Sequence, residues 1–277
     1  MLTTLKAELF NHGIELVKAV PLSVCNIIRP YKLGNLKNTD INSLSAIIFA
    51  IPYLTEHNKR NISAYAVSRD YHLFVEQLFQ SVLPIMRERF APYQFLGFAD
   101  NSPISEVPAA AMAGLGIIGD NMMLITEKYS SYVFLGEIIT DFPIDHHASY
   151  EISGCEHCGK CRNACPMEKI GACLSALTQK KGELDKAEAD HISSFGSAWG
   201  CDICQEVCPH TLRAMKQGSI FSKIDFFNRD NTPYLTSDDI LSMTDEQFAG
   251  RAYSWRGRNT ILRNLYILEQ NGKGADD

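Results

Sequence analysis

The residues with the clearest chemistry are eight cysteines between positions 155 and 208, out of nine in the chain. The first run is Cys155-x2-Cys158-x2-Cys161-x3-Cys165-Pro166. This is the spacing of bacterial ferredoxins, in which the fourth cysteine ligates the neighbouring cluster. The second run, Cys201-x2-Cys204-x3-Cys208-Pro209, matches the last three cysteines of the same pattern. The spacing predicts two iron–sulfur clusters and a role in electron transfer.

The second run lacks its first cysteine, because Ala198 occupies that position. Cys173 is the one unassigned cysteine nearby, and we predict that it supplies the missing ligand. The ligand count then closes for two 4Fe–4S clusters. The predicted ligands are Cys155, Cys158, Cys161 and Cys208 for the first cluster, and Cys165, Cys173, Cys201 and Cys204 for the second.

Zinc and disulfides are the alternatives for these cysteines. Eight thiolates could fill two tetrahedral zinc sites, but zinc needs neither a third cysteine at this spacing nor a proline after each run. A disulfide framework is disfavoured because the amino terminus lacks a secretion signal. Cys25 stands alone in an apolar stretch, which predicts a buried structural thiol.

Composition indicates an ordinary globular protein. The chain has 277 residues, of which 45% are hydrophobic and 21% charged, and its net charge of -6 gives no overall basic field. The longest apolar stretch, Leu44 to Leu54, is about half the length of a membrane span. We therefore expect a cytoplasmic protein that does not bind membranes.

Three regions must position the cysteines and any other site. Residues 1–150 alternate between predicted strands and helices, as in an α+β or α/β fold. Predicted strands are Ile14–Val20, Ala46–Tyr53, Tyr93–Ala99 and Tyr132–Thr140, the first two covered on both faces, and an apolar period predicts a helix from about Tyr65 to before Pro92. We predict three domains: an α/β catalytic and cofactor domain at 1–150, a ferredoxin-like double-cluster domain at 151–212, and a helical extension at 213–277.

One aspartate and one glycine-rich string could also carry chemistry. Asp100 follows a predicted strand, so it can be a turn or capping residue or a catalytic acid at a strand end. The string Gly114-Leu-Gly116-Ile-Ile-Gly119 matches a dinucleotide fingerprint but follows a predicted helix instead of a strand. We expect a tight turn there that lets the backbone approach a partner or ligand.

Several motifs occur together in one order along the chain. They are ISAYAVSRDYH at 62–72, FADNSPISEVPAAAMAGLGIIGDN at 98–121, SYVFLGEIITDFPI at 131–144, CEHCGKCRNACP at 155–166, WGCDICQEVCPH at 199–210 and TDEQFAGRAYSWRGRNTILRN at 244–264. On these motifs the chain resembles the epoxyqueuosine reductase family, which are cobalamin-dependent enzymes related to reductive dehalogenases.

The resemblance implies an oxidoreductase that removes the epoxide oxygen of epoxyqueuosine in tRNA, the last step of queuosine synthesis. It implies that two 4Fe–4S clusters feed electrons to a cobalamin held against the α/β domain, while an aspartate donates a proton. That aspartate lies in the family's strand-end motif, which is Phe98-Ala99-Asp100 here. The resemblance thus identifies Asp100 as the catalytic acid, in a pocket that the corrin shields from solvent.

The resemblance also implies binding residues and partners. We expect cobalamin contacts from Arg69, Tyr71, His72, Ser102, Gly116, Gly119 and Asn121. We further expect a monomer, an external electron donor of the flavodoxin or ferredoxin type, and contact with a tRNA anticodon loop. A basic patch for tRNA would be drawn from Arg60, Arg69, Arg251, Arg256 and Arg263.

Two other functions stay open at this level. The same machinery could act on a small-molecule substrate, which a neutral or acidic surface around Asp100 would favour. A ferredoxin-like electron carrier without its own substrate would instead show clusters near the surface and no cavity for a corrin. The size of the 1–150 region counts against a pure carrier.

Overall fold

A computed structural model describes residues 1–34, 36, 40–57, 59–145 and 154–272. The strands are β1 Leu16–Pro21, β2 Ser45–Pro52, β3 Phe95–Phe98, β4 Ile117–Ile118, β5 Leu124–Ile125 and β6 Val133–Thr140. The helices are α1 Leu2–Asn11, α2 Tyr71–Arg89, α3 Glu106–Met112, α4 Lys160–Ala164, α5 Leu174–Thr178, α6 Lys186–Phe195, α7 Ile203–Glu206, α8 Pro209–Lys216, α9 Ser237–Ser242, α10 Asp245–Ala249 and α11 Arg258–Gly272.

The main sheet has four strands in the order β1-β2-β6-β3. Every neighbouring pair in it is antiparallel, with Ser45 of β2 opposite Thr140 of β6. The four predicted strands are confirmed with small shifts of their ends. The mixed α and β content is confirmed as well, but the alternation of helix and strand along the chain does not produce parallel pairing.

Helices cover both faces of the sheet because its central strand is apolar on both sides. All eight residues of β2 are buried. Ile47, Phe49 and Ile51 pack with α1 and α2 in one hydrophobic cluster, whereas Ala46 and Ile48 pack with α3 in another. The predicted cover on both faces is confirmed for most of β1 as well, since Val17 packs in the first cluster and Val20 in the second. Lys18 is the exposed residue of this edge strand.

The predicted amphipathic helix is confirmed as α2 with one buried face, but it begins at Tyr71, and Ala64–Ala66 form a separate 3-10 helix ahead of it. Helix α2 begins after Asp70, whose carboxylate accepts a hydrogen bond from the backbone N–H of His72. Its apolar side chains recur at three- and four-residue steps and are buried against the sheet. The helix start therefore fixes Asp70, Tyr71 and His72 at the end of the sheet where β3 leads into Asp100.

The cysteine-rich region consists of short helices that attach to the sheet domain. The backbone N–H of Cys155 donates to the carbonyl of Ile118 at 3.1 Å, which joins this region to β4. Further on, Ala214, Ile220, Ile224 and Phe227 pack into the cluster under α1 and α2. The division at 150 and 151 lies outside the described residues, and the ranges 1–150, 151–212 and 213–277 stay a prediction. Within the described residues, no helix is both long and apolar enough to cross a membrane.

Candidate active site and cysteine pocket

The four predicted ligands of the first cluster converge on one pocket. Cys155, Cys158, Cys161 and Cys208 line it together with Gly119, Asp120, Asn121 and Ile125. Short local structures bring them there: Cys161 lies in α4 and Cys208 caps the start of α8. Four thiols around one space match the donor type and number that a 4Fe–4S cluster requires.

The second predicted set gathers around Cys204. Its thiol lies within electrostatic range of Cys173, Cys161 and Cys165, and Cys201 lies within range of both Cys204 and Cys173. Burial raises the pKa of Cys204 to about 11 and that of Cys201 to about 12. Because Cys161 belongs to the first set, the two sets adjoin.

Two further side chains border the first pocket. The ring nitrogen Nδ1 of His157 lies 2.7 Å from Oδ1 of Asp120. The ligand atoms of these two residues and of Cys155 all lie within 4.8 Å of one another. Sequence reasoning did not single out His157, because a histidine inside a cysteine run carries no spacing signal of its own. Cys25 is confirmed as a buried thiol, and it packs among the apolar side chains beneath α3.

A second cleft, of about 300 Å³, contains Asp100. Its lining is mainly apolar and consists of Tyr71, Asp100, Glu106, Val107, Met122, Met123, Leu124, Ser131, Val133, Phe134 and Leu135. The β4–β5 hairpin lies between this cleft and the cysteine pocket. Residues 119–121 and 125 line the cysteine pocket, whereas residues 122–124 line the cleft. One short hairpin thus separates the thiols from Asp100.

Asp100 occupies a tight turn directly after β3. Its φ is 60°, in the left-handed region that aspartate tolerates better than most residues. The backbone N–H of Asp100 donates to Oε1 of Glu106 at 2.9 Å, while its own carboxylate is 73% exposed. The N-cap position of the following helix belongs to Ser105. Asp100 is therefore a turn residue whose side chain is free to face the cleft.

A histidine connects Asp100 to a second aspartate. Nδ1 of His72 lies 2.8 Å from Oδ1 of Asp70, and Nε2 lies 3.9 Å from Oδ2 of Asp100. The hydrogen bond to Asp70 raises the pKa of His72, so the ring carries a proton over a wider pH range. His72 is half-exposed and can exchange that proton with solvent.

Behind Asp100 lies a pair of glutamates that sequence reasoning missed. Glu137 lies on β6 and is fully buried. Burial and the nearby charge of Glu106 raise the pKa of Glu137 to about 9. Burial also raises the pKa of Glu106. A glutamate inside the apolar strand Val133–Thr140 was the signal that could have identified Glu137.

Comparison with known proteins identifies the family. The chain is 32% identical over 250 residues to an epoxyqueuosine reductase from Gloeobacter violaceus, covering 83% of this chain and 75% of the relative. The chain belongs to the epoxyqueuosine reductase family. Epoxyqueuosine reductases from Lactococcus garvieae and Pseudomonas aeruginosa are 28% and 30% identical, each covering 77% of this chain. The chain spans 62% and 61% of the length of these two relatives. No protein-family model matches the chain.

Solved structures of the family share the fold. Epoxyqueuosine reductase from Streptococcus thermophilus has a TM-score of 0.71 at 22% identity and covers 96% of this chain and 80% of its own. An epoxyqueuosine reductase bound to a tyrosine-tRNA stem-loop carrying epoxyqueuosine has a TM-score of 0.72 at 22% identity, covering 97% of this chain and 81% of its own. These likenesses establish a common fold with the epoxyqueuosine reductases.

In this family member, the residues expected to contact cobalamin do not share one site. Tyr71 lines the cleft and stacks on Phe134 with ring centroids 4.0 Å apart. Gly119 and Asn121 instead line the cysteine pocket. At Gly116, the residue before β4, a side chain would collide with the backbone of Ile125 in β5, so the close approach there is to the protein's own backbone.

Ser102 and Arg69 lie away from the cleft lining. Ser102 is buried beneath it, and its hydroxyl accepts a hydrogen bond from the backbone N–H of Ile104 at 3.0 Å. Arg69 lies over the ring of Phe226 and lines a separate polar pocket with Arg251. Their expected roles in cobalamin binding stay a prediction.

The cleft nevertheless has features that suit a corrin. Its walls are apolar along Val107, Leu124 and Leu135, and Met122 stands 76% exposed at its rim. Asp100 supplies a polar side chain at the same opening. The lining therefore offers an apolar wall, suited to the apolar face of a ring, with a carboxyl beside it.

The five arginines of the expected basic patch do not share one pocket. Arg60 pairs with Asp202 and Glu206, and Arg263 donates to the carbonyls of Lys180 and Gly182. The remaining three are Arg69 and Arg251, which line one pocket, and Arg256, which lines another beside Cys173. Arg69 and Arg251 share their pocket with two acids, Asp230 and Glu246.

Proposed function

We propose that this protein reduces epoxyqueuosine in tRNA to queuosine, using two 4Fe–4S clusters and a cobalamin. The observation that carries the proposal is the β4–β5 hairpin, with cysteine thiols on one side and Asp100 on the other. Reduction of a C–O bond requires a source of electrons and a proton donor near the same substrate. The hairpin holds the predicted cluster ligands next to the cleft that contains Asp100. The names and shared fold of the relatives support the same substrate.

The chain's own residues have separate tasks in this proposal. The two sets of four cysteines would hold the clusters, and the cleft wall of Val107, Met122 and Leu124 would hold the corrin. When bound, cobalamin supplies low-potential cobalt for reduction of a carbon–oxygen bond. Exclusion of water by the corrin would leave the carboxyl of Asp100 facing the epoxide in a shielded space.

Asp100 would act as the general acid. A positioned acid typically contributes 10²–10⁴-fold to a proton-transfer step, as an order of magnitude. His72 lies 3.9 Å from Asp100 and reaches solvent, so it can return a proton to Asp100. Asp70 would hold the His72 ring in the orientation that this transfer needs.

The tRNA would lie over the arginine pocket next to α2. Arg69 and Arg251 line this pocket, and Arg69 is two positions from Tyr71 in the cleft. The charged groups of the cleft itself are the acids Asp100 and Glu106. Phosphates would therefore contact the arginines, leaving the cleft for the modified base. An external flavodoxin- or ferredoxin-type donor would supply electrons to a cytoplasmic monomer.

Anaerobic reconstitution tests the proposal. Clusters are rebuilt, cob(II)alamin is added, and binding is measured by absorbance and EPR. Turnover is then measured on an anticodon stem-loop carrying epoxyqueuosine, with the free modified nucleoside as the matched small-molecule substrate. We expect cobalamin binding at micromolar concentration and a strong preference for the stem-loop. Failure to bind cobalamin would contradict the proposed cofactor, and an equal rate on the nucleoside would contradict the tRNA substrate.

A further inference from the structure

A buried acid lies within reach of Asp100 without a role in the function proposed above. Glu137 is 0% exposed, and its carboxyl interacts with the hydroxyl of Ser102 and the carboxyl of Glu106. The Ser102 hydroxyl favours the ionised form, but burial is the larger effect because it removes the water around the carboxylate. Burial therefore favours the neutral, protonated form of Glu137.

Glu106 connects this acid to Asp100. It lies in the first turn of α3, which covers the face of the sheet from which Glu137 projects. The carboxylate of Glu106 interacts with Glu137 on one side and accepts the backbone N–H of Asp100 at 2.9 Å on the other. Two carboxyls so close cannot both ionise, so they share a proton.

The charged surroundings of the pair leave this proton in place. The titratable and charged groups that face it are Cys25, Arg29, Tyr71, His72 and Asp100. Of these, Arg29 donates to the carbonyl of Ser102 at 2.9 Å, and His72 is paired with Asp70. Neither cation forms an ion pair with Glu137 among the described residues. Burial raises the pKa of Glu137 to about 9, so the acid form persists at neutral pH.

The proposed reaction needs more than one proton. Removing an epoxide oxygen breaks two C–O bonds, forms one C=C bond, and consumes two electrons and two protons, with the oxygen leaving as water. The electrons would come from the external donor through the clusters. Asp100 carries one proton only, so a second must reach it within the same turnover.

We propose that Glu137 and Glu106 share a proton that serves as the reserve for Asp100, an inference that rests on the proposed function. Glu106 and Asp100 line the same cleft, so the proton can pass between their carboxyls directly or through one water. Glu137 then returns its proton to Glu106. Solvent refills the pair between turnovers, while the bound corrin and tRNA exclude water during the reaction.

The first test detects the stored proton without substrate or cobalamin. Infrared spectra of the cluster-loaded protein at pH 7 should contain the C=O stretch of a protonated carboxylic acid, shifted in D₂O. Glu137→Gln should remove this band, because the amide has the same shape but no acid proton. Glu88→Gln, an equal change at an exposed position on α2, should leave it unchanged. The band should fade as the pH rises through about 9.

The second test measures what the proton does. Glu137→Gln should lower kcat on the epoxyqueuosine stem-loop by about 10- to 100-fold, the lower range for a lost acid, with KM unchanged. It should also remove the alkaline limb of the pH–rate profile, which a merely structural role would not move. Glu137→Asp, which restores an acid, should recover part of the rate.

The outcomes separate the two ideas. If the wild-type protein lacks an acid band that Glu137→Gln removes, the shared proton is disproved whatever the activity. If the band is present and the wild type turns over, but Glu137→Gln keeps its rate and pH profile, the reserve is disproved. A wild-type protein that shows the band but does not reduce epoxyqueuosine contradicts the proposed function. The shared proton would then exist, but its proposed use in reducing epoxyqueuosine would be disproved.

Discussion

The cysteine pocket and the Asp100 cleft lie on two sides of one hairpin, yet they are built in opposite ways. Short-range spacing brings Cys155, Cys158 and Cys161 into the pocket, and Cys208 joins them from the start of α8. The cleft is instead assembled from α2, β3, α3 and β6, whose residues are brought together by the antiparallel sheet. Local spacing thus accounts for most of the cysteine pocket, which we call the cysteine side. The tertiary fold brings together Asp100, Glu106 and the rest of the cleft, which we call the proton side.

This difference predicts how each side fails when one residue is changed. Four thiolates hold a 4Fe–4S cluster, so the loss of one thiol destabilises the cluster as a whole. A proton path made of hydrogen-bonded groups loses rate by degrees, because water or a neighbour can partly replace a missing member. Substitutions on the two sides should therefore differ in size and in the property that they change.

The largest expected effect is on the cysteine side. Cys208→Ala removes one ligand from the pocket that also contains Cys155, so we expect about half the iron to be lost and turnover to be abolished. Iron content and the EPR spectrum of the reduced protein measure this. Cys25→Ala is the matched control, since Cys25 is buried among apolar side chains beneath α3 and does not line the cysteine pocket. An equal loss of iron in both variants would contradict the ligand assignment.

The next effect is on the proton side and should leave the clusters intact. Asp100→Asn keeps the size and turn preference of the residue but removes its proton. We expect turnover to fall by about 10²–10⁴-fold with unchanged cluster spectra and unchanged cobalamin binding. Asp238→Asn, on the exposed face of α9, provides the control. Unchanged turnover in Asp100→Asn would remove this residue from the mechanism.

The same contrast explains what could be predicted from the sequence. The convergence of Cys155, Cys158, Cys161 and Cys208 on one pocket could be predicted because cluster ligands follow a recurrent spacing. The role of Cys173 as the missing ligand stays a prediction. The strands were accessible from apolar runs such as Ala46–Tyr53. Their antiparallel pairing was not, because pairing depends on contacts between strands far apart in the chain.

Glu106 and Glu137 show where sequence reasoning ended on the proton side. They are far apart in the chain, and they meet only because α3 covers the face of β6 from which Glu137 projects. Gly116 was similarly ambiguous: its turn was expected to admit a ligand, and in the fold it admits the backbone of Ile125. Spacing carries information about neighbours in sequence, whereas these contacts depend on the packing of separate elements.

A third effect should appear in the pH dependence of the free energy of unfolding, and it reports on Glu137. The pKa of Glu137 rises from an ordinary 4.5 to about 9 in the folded protein. The unfolded chain therefore releases this proton at lower pH than the folded one, so the free energy of unfolding decreases as the pH rises through that interval. The slope is at most about 1.4 kcal/mol per pH unit.

Denaturant unfolding of the cluster-loaded protein at several pH values measures this slope. Glu137→Gln removes the ionisable group, so the decrease between about pH 5 and 9 should become shallower in that variant. Burial also raises the pKa of Glu106 and Asp202, which account for a remaining decrease of the same sign. Glu88→Gln should retain the wild-type slope. A Glu137→Gln protein with the same pH dependence as the wild type would mean that Glu137 is ionised in the folded state.

The smallest expected effect concerns the link between the cleft and solvent. Asp70 both caps α2 and raises the pKa of His72 through the hydrogen bond to its ring. Asn is also a good N-cap, so Asp70→Asn should keep the helix while lowering the pKa of His72 towards its ordinary value. NMR titration of the His72 ring measures the shift, and His191, on α6, serves as the reference. Because protonated His72 is proposed to refill Asp100, turnover above neutral pH should fall a few-fold, whereas cluster content should not change. If the His72 ring titrates in Asp70→Asn as in the wild type, the hydrogen bond to Asp70 does not raise its pKa, and Asp70 has no part in supplying protons to Asp100.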